Sequence, residues 1–341
     1  MQKWPEQDLE SVPTCPFCNG TERKIAFSSV KDTAFQSAPG KWTYWDCNDC
    51  GSLYLDPRPT ASTIGTAYKK YYTHDSVEKS SAGFLLKSRL RNECLSRKLK
   101  CEVLPRLHLP KVLSPLISMI STQVKMPFGW GVLAKLPKGR FIDVGCGNGQ
   151  TVAVAQCLGW ESTGIEIDSL ACARAHSSGL QIIKGDYARL AEFPNQMDCI
   201  MCSHLLEHVH EPLDLLRKLQ SALKPGGHLL LTLPNSLSKL RYYFRDDWRG
   251  LEAPRHLAIP SEAYLIQWLV NAGFEVESVA DDALDSAAES FRIIRRAMAV
   301  NDDDLRRARK LSQTGILKKG GNDFIKLICR AGLVIPDHSK N

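Results

Sequence analysis

Phe141-Ile-Asp-Val-Gly-Cys-Gly-Asn-Gly149 decides the fold: an apolar strand runs straight into a Gly-x-Gly-x-Gly turn, and residues from Gln150 to Leu158 suit a helix. Glycine is required in such a turn because the backbone passes close to a ligand and the next helix packs tightly on the strand. A dinucleotide fingerprint would place its third glycine at position 150, which is Gln150, so NAD is disfavoured.

Outward from that turn, short apolar strands alternate with amphipathic helices, the pattern of βαβ units on a parallel sheet. Strands are expected at Phe141–Val144, Ser162–Ile167, Gln181–Lys184, Cys199–Ser203 and His228–Leu233, and a sixth begins at Phe274–Val279. Helices are expected at Gln150–Leu158, Ser169–Ser177, Pro212–Leu223 and Ser261–Ala272. The fold class is α/β, a doubly wound Rossmann-like sheet.

Two carboxylates follow the turn at strand ends. Glu166 closes Thr163-Gly-Ile-Glu166, where an acid can accept from both ribose hydroxyls, and Asp186 follows the third strand in Lys184-Gly-Asp-Tyr187. With these three features in order, residues 139–279 resemble the class I S-adenosylmethionine-dependent methyltransferases. The resemblance implies S-adenosylmethionine as cofactor. It places Asp143, Gly145, Cys146, Gly147, Asn148 and Gly149 along the methionine and ribose, and makes Glu166 the ribose acid. Ile167 becomes its adenine-stacking neighbour, Asp186 with Tyr187 the adenine end, and Ser203 a cofactor contact at the fourth strand. The family closes its sheet with an antiparallel hairpin. Here a charged, helix-like stretch from Asp281 to Lys319 separates the sixth strand from Phe324–Cys329, the expected last one.

At the N-terminus, Cys15-Pro-Phe-Cys18 and Cys47-Asn-Asp-Cys50 are two C-x-x-C pairs 28 residues apart. Each offers two thiolates from one knuckle, and four thiolates close a tetrahedral sphere, so a structural zinc ion is expected. Gly20 and Gly51 follow the knuckles, where backbone amides can turn toward sulfur.

The acceptor chemistry is sought after the fourth strand, at the carboxyl edge where such sheets bind ligands. Ser203-His-Leu-Leu-Glu-His-Val-His210 stands there. If it continues helically, His204, Glu207 and His208 share one face. Three roles are open to them: a histidine general base oriented by Glu207, a divalent metal site, or structural hydrogen bonding. The metal arrangement resembles that of ubiquinone-pathway O-methyltransferases, in which an acid usually stands at the position of His204. Beyond the fifth strand, Trp248-Arg-Gly-Leu-Glu-Ala-Pro-Arg-His256 is dense in polar groups. Its Arg255 suits a carboxylate or phosphate, or else a surface salt bridge, and His256 joins the catalytic candidates.

The 341 residues carry a formal charge of +7, only mildly basic, with 12 cysteines. The excess crowds between Lys87 and Lys111, where only Glu93 and Glu102 oppose it; a solvated helix face is the simplest reading. The opening Met1–Pro13 has no apolar run of a signal peptide, and no later segment approaches a membrane span, so a cytoplasmic protein is expected. In a reducing compartment the cysteines are metal ligands or core residues rather than disulfides. The expected organisation is a zinc-ribbon-like module (1–60), a helical connector (61–138), a cofactor domain (139–280), a helical insertion (281–319), and a last strand with tail (320–341). Two knuckles, then Leu53-Tyr-Leu-Asp-Pro-Arg-Pro59, then Tyr71-Tyr72, then the cofactor domain resemble bacterial methyltransferases of sugar and surface-glycan biosynthesis. The expected partner is a small-molecule or sugar acceptor, methylated by preference on oxygen; the alternative is a ribosomal or transfer RNA methyltransferase. Oligomeric state is not legible.

Overall fold

The computed structural model describes residues 3–68, 82–110, 124–278, 284–294, 300–313 and 323–332, with residues 112, 117, 119, 121 and 122. Tyr71 and Tyr72, Lys111, the remainder of the 281–319 stretch and the tail beyond 332 lie outside them. By contacts the chain forms two compact units. The first holds Met1–Tyr71, Cys202–Gln220 and His228–Asn341, and the second Tyr72–Met201 and Ser221–Gly227.

Along the chain come β1 (Leu9–Glu10), β2 (Arg23–Val30), β3 (Trp42–Cys47), β4 (Leu53–Leu55), β5 (Arg58–Pro59), α1 (Ala82–Leu99) and α2 (Phe128–Lys135). The sheet domain follows with β6 (Arg140–Val144), α3 (Gln150–Cys157), β7 (Glu161–Glu166), α4 (Ser169–Ser177), β8 (Ile182–Lys184), β9 (Met197–Ser203), α5 (Pro212–Ala222) and β10 (Leu223–Pro234). Last are α6 (Lys239–Phe244), β11 (Ala258–Ile259), α7 (Glu262–Asn271), β12 (Phe274–Ser278), α8 (Leu284–Ile294), α9 (Asp302–Gln313) and β13 (Phe324–Ala331).

The main sheet has the order β12-β13-β10-β9-β6-β7-β8. In the second unit β6, β7 and β8 pair in parallel, with Asp143 opposite Gly164 and Glu166 opposite Lys184. This register brings the ends of β6 and β7, and so the glycine turn and Glu166, to one edge. Asp168 caps α4 by accepting the Leu170 and Ala171 amides, which fixes the helix start directly after Glu166. The connector is only partly helical. α1 ends at Leu99, ahead of Pro105 and Pro110, with Lys100 in the left-handed region (φ 54°), and the Asn92 side chain donates to the Pro105 carbonyl at 2.9 Å.

In the first unit β13 runs antiparallel to both neighbours, Leu230 lying opposite Ile328 and Val276 opposite Cys329. The chain thus leaves after β12, forms α8 and α9, and returns as the inner strand of the family's usual closing pair. Alternating burial along β13 puts Ile325, Leu327 and Cys329 inside. The N-terminal strands form a second antiparallel sheet of order β11-β4-β3-β2. Trp42, Tyr44, Leu53 and Leu55 of that sheet share a core with Leu240 and Trp248.

Candidate functional site

In the second unit, the glycine turn is built by three left-handed residues, Gly145 (φ 76°), Gly147 (φ 54°) and Gly149 (φ 77°). The Gly145 and Cys146 amides donate to the Ile165 carbonyl at 2.8 and 3.1 Å, tying the turn to β7. A Cβ at Gly149 would lie 2.7 Å from Leu180, so this glycine is spent on packing α3. A Cβ at Gly147 would meet no protein atom within 4 Å, so that face of the turn is open to a ligand. Cys146, read as a cofactor contact, turns its side chain inward against Val152, Cys172 and Leu180, leaving only its backbone in the turn.

Glu166 is buried and braces the turn: its Oε2 accepts the Gly147 amide at 2.7 Å and its Oε1 accepts the Asp168 amide at 2.8 Å. Asp143 is also buried, and burial followed by the charge of Glu166 raises its carboxyl to about 7. Two buried acids side by side call for a cationic partner, and S-adenosylmethionine carries both an ammonium and a sulfonium. Ile167 exposes 69% of its surface beside them, as an adenine-stacking residue would require before the ligand arrives. Asp186 uses Oδ1 to cap the next turn through the Ala188 amide at 2.9 Å, and with Asn148 it is exposed, while Tyr187 is half-buried. The residues fit the cofactor.

In the first unit, the segment after β9 does not continue as a helix. His204 sits at φ 52° and donates its backbone N–H to the Thr232 carbonyl at 2.7 Å, so only Leu206–His208 form a single 3-10 turn. The single helical face expected for His204, Glu207 and His208 is therefore absent. His204 reaches Glu207 through Nδ1 at 3.2 Å, but its ring stands against Phe324 and it is exposed. His208 instead meets His256 edge to face, ring centroids 4.6 Å apart. The residues whose ligand atoms all lie within 4.8 Å of one another are Glu207, His208 and His256. Ser203, at the end of β9, buries its Oγ without a hydrogen-bond partner among the described residues.

Both rings of that pair are oriented by backbone carbonyls. His256 Nδ1 donates to the Gly250 carbonyl at 2.6 Å, because a carbonyl can only accept, while His208 Nδ1 is shared between the Arg255 carbonyl at 3.1 Å and the Tyr68 hydroxyl at 3.0 Å. Where Nδ1–H is turned to the carbonyl, Nε2 is the acceptor. Burial pushes His256 down to about 4, against the pull of Glu252 and Glu207 upward. Burial alone would raise the Glu207 carboxyl, yet the hydrogen bond from His204 and the charges of His208 and His256 hold it below the usual range. Its Oε2 has no hydrogen-bond partner among the described residues. Glu252, at the strained φ of 37°, is likewise held ionised against burial by Arg249, His256 and Arg255.

Arg255 is neither a surface residue nor open to a substrate. It is fully buried, paired with Asp32 at 2.6 Å and with Glu252 at 3.2 Å, while donating to the Ala67 carbonyl at 2.9 Å. Tyr68, whose hydroxyl lies 3.0 Å from His208 Nδ1, and Glu252 were not singled out by the sequence. Glu252 had a local signal, standing three and four residues before Arg255 and His256; Tyr68 had none.

Also in the first unit, Cys15, Cys18, Cys47 and Cys50 converge. Cys15 and Cys50 sulfurs are 3.6 Å apart and those of Cys18 and Cys47 3.4 Å, near the roughly 3.8 Å edge of a tetrahedron with Zn–S bonds of about 2.3 Å. The Gly20 amide donates to the Cys18 sulfur at 3.4 Å, as expected of a knuckle, and a hydrogen bond from Cys15 holds the Cys50 thiol down to about 5. The donor set fits zinc. The knuckle backbone is itself clamped: Tyr264 donates to the Phe17 carbonyl at 2.5 Å, Ser261 to that of Cys50 and Ser236 to that of Gly51, both at 2.6 Å.

A family model described as a methyltransferase domain matches residues 126–279. The ubiquinone biosynthesis O-methyltransferase of Xanthomonas euvesicatoria pv. vesicatoria is 32% identical over 161 residues, 43% of this chain and 66% of that protein. Its namesake in Pseudomonas aeruginosa (strain LESB58) is 31% identical over 164 residues, 43% of this chain and 68% of that protein. The chain thus spans about two thirds of the length of the curated relatives it matches. Among solved structures, an S-adenosylmethionine-dependent methyltransferase from Mesorhizobium loti aligns over 60% of this chain and 98% of its own, at 19% identity and a TM-score of 0.42. No helix among the described residues is long and apolar enough to cross a membrane.

Proposed function

Because this chain belongs to the class I S-adenosylmethionine-dependent methyltransferases, we propose that it methylates a hydroxyl of a small-molecule or sugar acceptor, with His208 taking the hydroxyl proton. Bound at the glycine turn, the cofactor supplies a sulfonium methyl group open to in-line displacement. A hydroxyl attacks it only as it loses its proton, and neutral imidazole is suited to accept one near neutral pH. The observation that carries the reading is the orientation of His208: Nδ1 is engaged by the Arg255 carbonyl and the Tyr68 hydroxyl, which leaves Nε2 as the nitrogen available to an acceptor hydroxyl. Ionised Glu207, whose charge acts on this ring, then stabilises the imidazolium. His256 holds the ring edge to face and stays neutral. Both relatives are O-methyltransferases by name, which supports oxygen as the acceptor atom.

A metal-assisted version has its own support, with His256 in place of His204 as third ligand. Glu207, His208 and His256 offer a carboxylate and two Nε2 atoms, and both imidazoles turn Nδ1 to a backbone carbonyl, as metal-bound histidines do. A divalent ion there would polarise the acceptor hydroxyl. RNA as the acceptor is the weaker alternative. The knuckle carbonyls are engaged within the protein. In the basic stretch, Arg97 and Arg106 pair with Glu93, and Lys98 donates to the Val124 carbonyl.

The test is turnover against cofactor affinity. His208→Gln should lower turnover about 100- to 10,000-fold with unchanged S-adenosylmethionine binding, and His204→Gln far less. A His208→Gln enzyme of normal turnover overturns the base. Loss of wild-type activity in chelator, restored by magnesium or manganese, selects the metal version.

A further inference from the structure

Cys101 and Cys157 stand apart from the other cysteines. Four of those form the N-terminal cluster, and Cys94, Cys146, Cys172, Cys199, Cys202 and Cys329 are buried. Cys157, the last residue of α3, is the only exposed cysteine among the described residues, and Cys101 is half-buried. Cys101 immediately precedes Glu102, whose backbone N–H lies against the Cys157 sulfur, so the two cysteines are neighbours in space. That N–H donates to the Cys157 sulfur at 2.8 Å. Cys101 already packs against the cluster of Leu99, Val103 and Val154 that joins this segment to α3. The two residues are thus held side by side by the surrounding fold, although they belong to different elements.

We propose that Cys101 and Cys157 are a reactive dithiol that closes to an intrachain disulfide by exchange with a small-molecule disulfide. The accessible Cys157, ionised after giving its proton to water, attacks one sulfur of the incoming disulfide RSSR. That S–S bond breaks, RS⁻ leaves, and a Cys157–SR mixed disulfide forms. Burial, then the neighbouring Cys157 thiol, pushes the Cys101 thiol up to about 12, so it keeps its proton until this stage. Cys101 next displaces the second RS⁻, giving its proton to that leaving group, while the first RS⁻ takes one from water. Two protein thiols are oxidised and one RSSR is reduced to two RSH. Because α3 opens on Gly149, the bond would pin the connector after α1 to the helix that carries the cofactor turn.

The experiment treats the zinc-loaded full chain with oxidised glutathione, alkylates the remaining thiols and maps peptides by mass. The expected product is a Cys101–Cys157 cross-linked peptide pair, lighter by two hydrogens and restored by dithiothreitol. Cys101→Ser should stop at a persistent glutathione adduct on Cys157, and Cys157→Ser should give neither product. Wild-type protein that keeps glutathione on Cys157 while Cys101 remains alkylated overturns the proposal. So does a dimer linked through Cys157, or a Cys157 that reacts no faster than the buried cysteines.

Discussion

The Gly147 amide donates a 2.7 Å hydrogen bond to the carboxylate of Glu166, so the acid proposed to hold the ribose also sets the shape of the glycine turn. Removing Glu166 therefore takes away a charge-assisted bond to the ligand and loosens the turn that receives it. Glu166→Ala should weaken S-adenosylmethionine binding by about 1.5 to 3 kcal/mol, roughly 10- to 150-fold, in calorimetry. Unchanged affinity would place the cofactor elsewhere.

Asp143 gives that binding a pH dependence. In the free protein its carboxyl sits at about 7, raised by burial and then by Glu166, so below that pH it is neutral and above it ionised. A cationic ligand favours the ionised form, and binding at lower pH must expel a proton. Affinity should accordingly rise as pH rises through about 7 and level off above it. Asp143→Asn should remove this component, and the wild-type to variant ratio cancels the ligand's own titration. A ratio that is flat from pH 5.5 to 8.5 would show that Asp143 does not face the charged end of the cofactor.

Arg255 should behave as a structural residue. Arg255→Met leaves Asp32 and Glu252 buried without their cation, a change of the kind that costs about 3 to 5 kcal/mol, and chemical denaturation should show it. Arg255→Lys should recover little, since one ammonium cannot reproduce the paired bonds to Asp32. A stable Arg255→Met protein whose acceptor KM alone has risen would restore the substrate-binding role.

These pairings mark where sequence reading reaches its limit. The strands and helices of the main sheet between Phe141 and Phe274 were legible because they follow local periodicity, and Ser169–Ser177 was placed at its observed bounds, whereas Lys239–Phe244 and Ala258–Ile259 were not foreseen. The Cys15, Cys18, Cys47 and Cys50 grouping was legible from spacing alone. Arg255 was not, because its partner Asp32 lies 223 positions away and nothing local announces it. His204 misled for a different reason: helical spacing places it beside His208, but a left-handed backbone at that residue turns the segment, and His256 takes its place.

The cysteine cluster predicts about one zinc ion per chain. Metal analysis of Cys47→Ser should find it lost, together with a lower melting temperature, because the knuckles are clamped to Ser236, Ser261 and Tyr264. Full zinc occupancy in that variant would rule out the site.

The most direct measurement of the central claim is the fate of the methyl group. Purified protein would be incubated with methyl-labelled S-adenosylmethionine and a cell extract separated into RNA, protein, glycan and small-metabolite fractions. Label is predicted in the small-metabolite or glycan fraction, on oxygen, as a methyl ether stable to mild base. Label confined to RNA or protein, or transferred to no fraction, would contradict it.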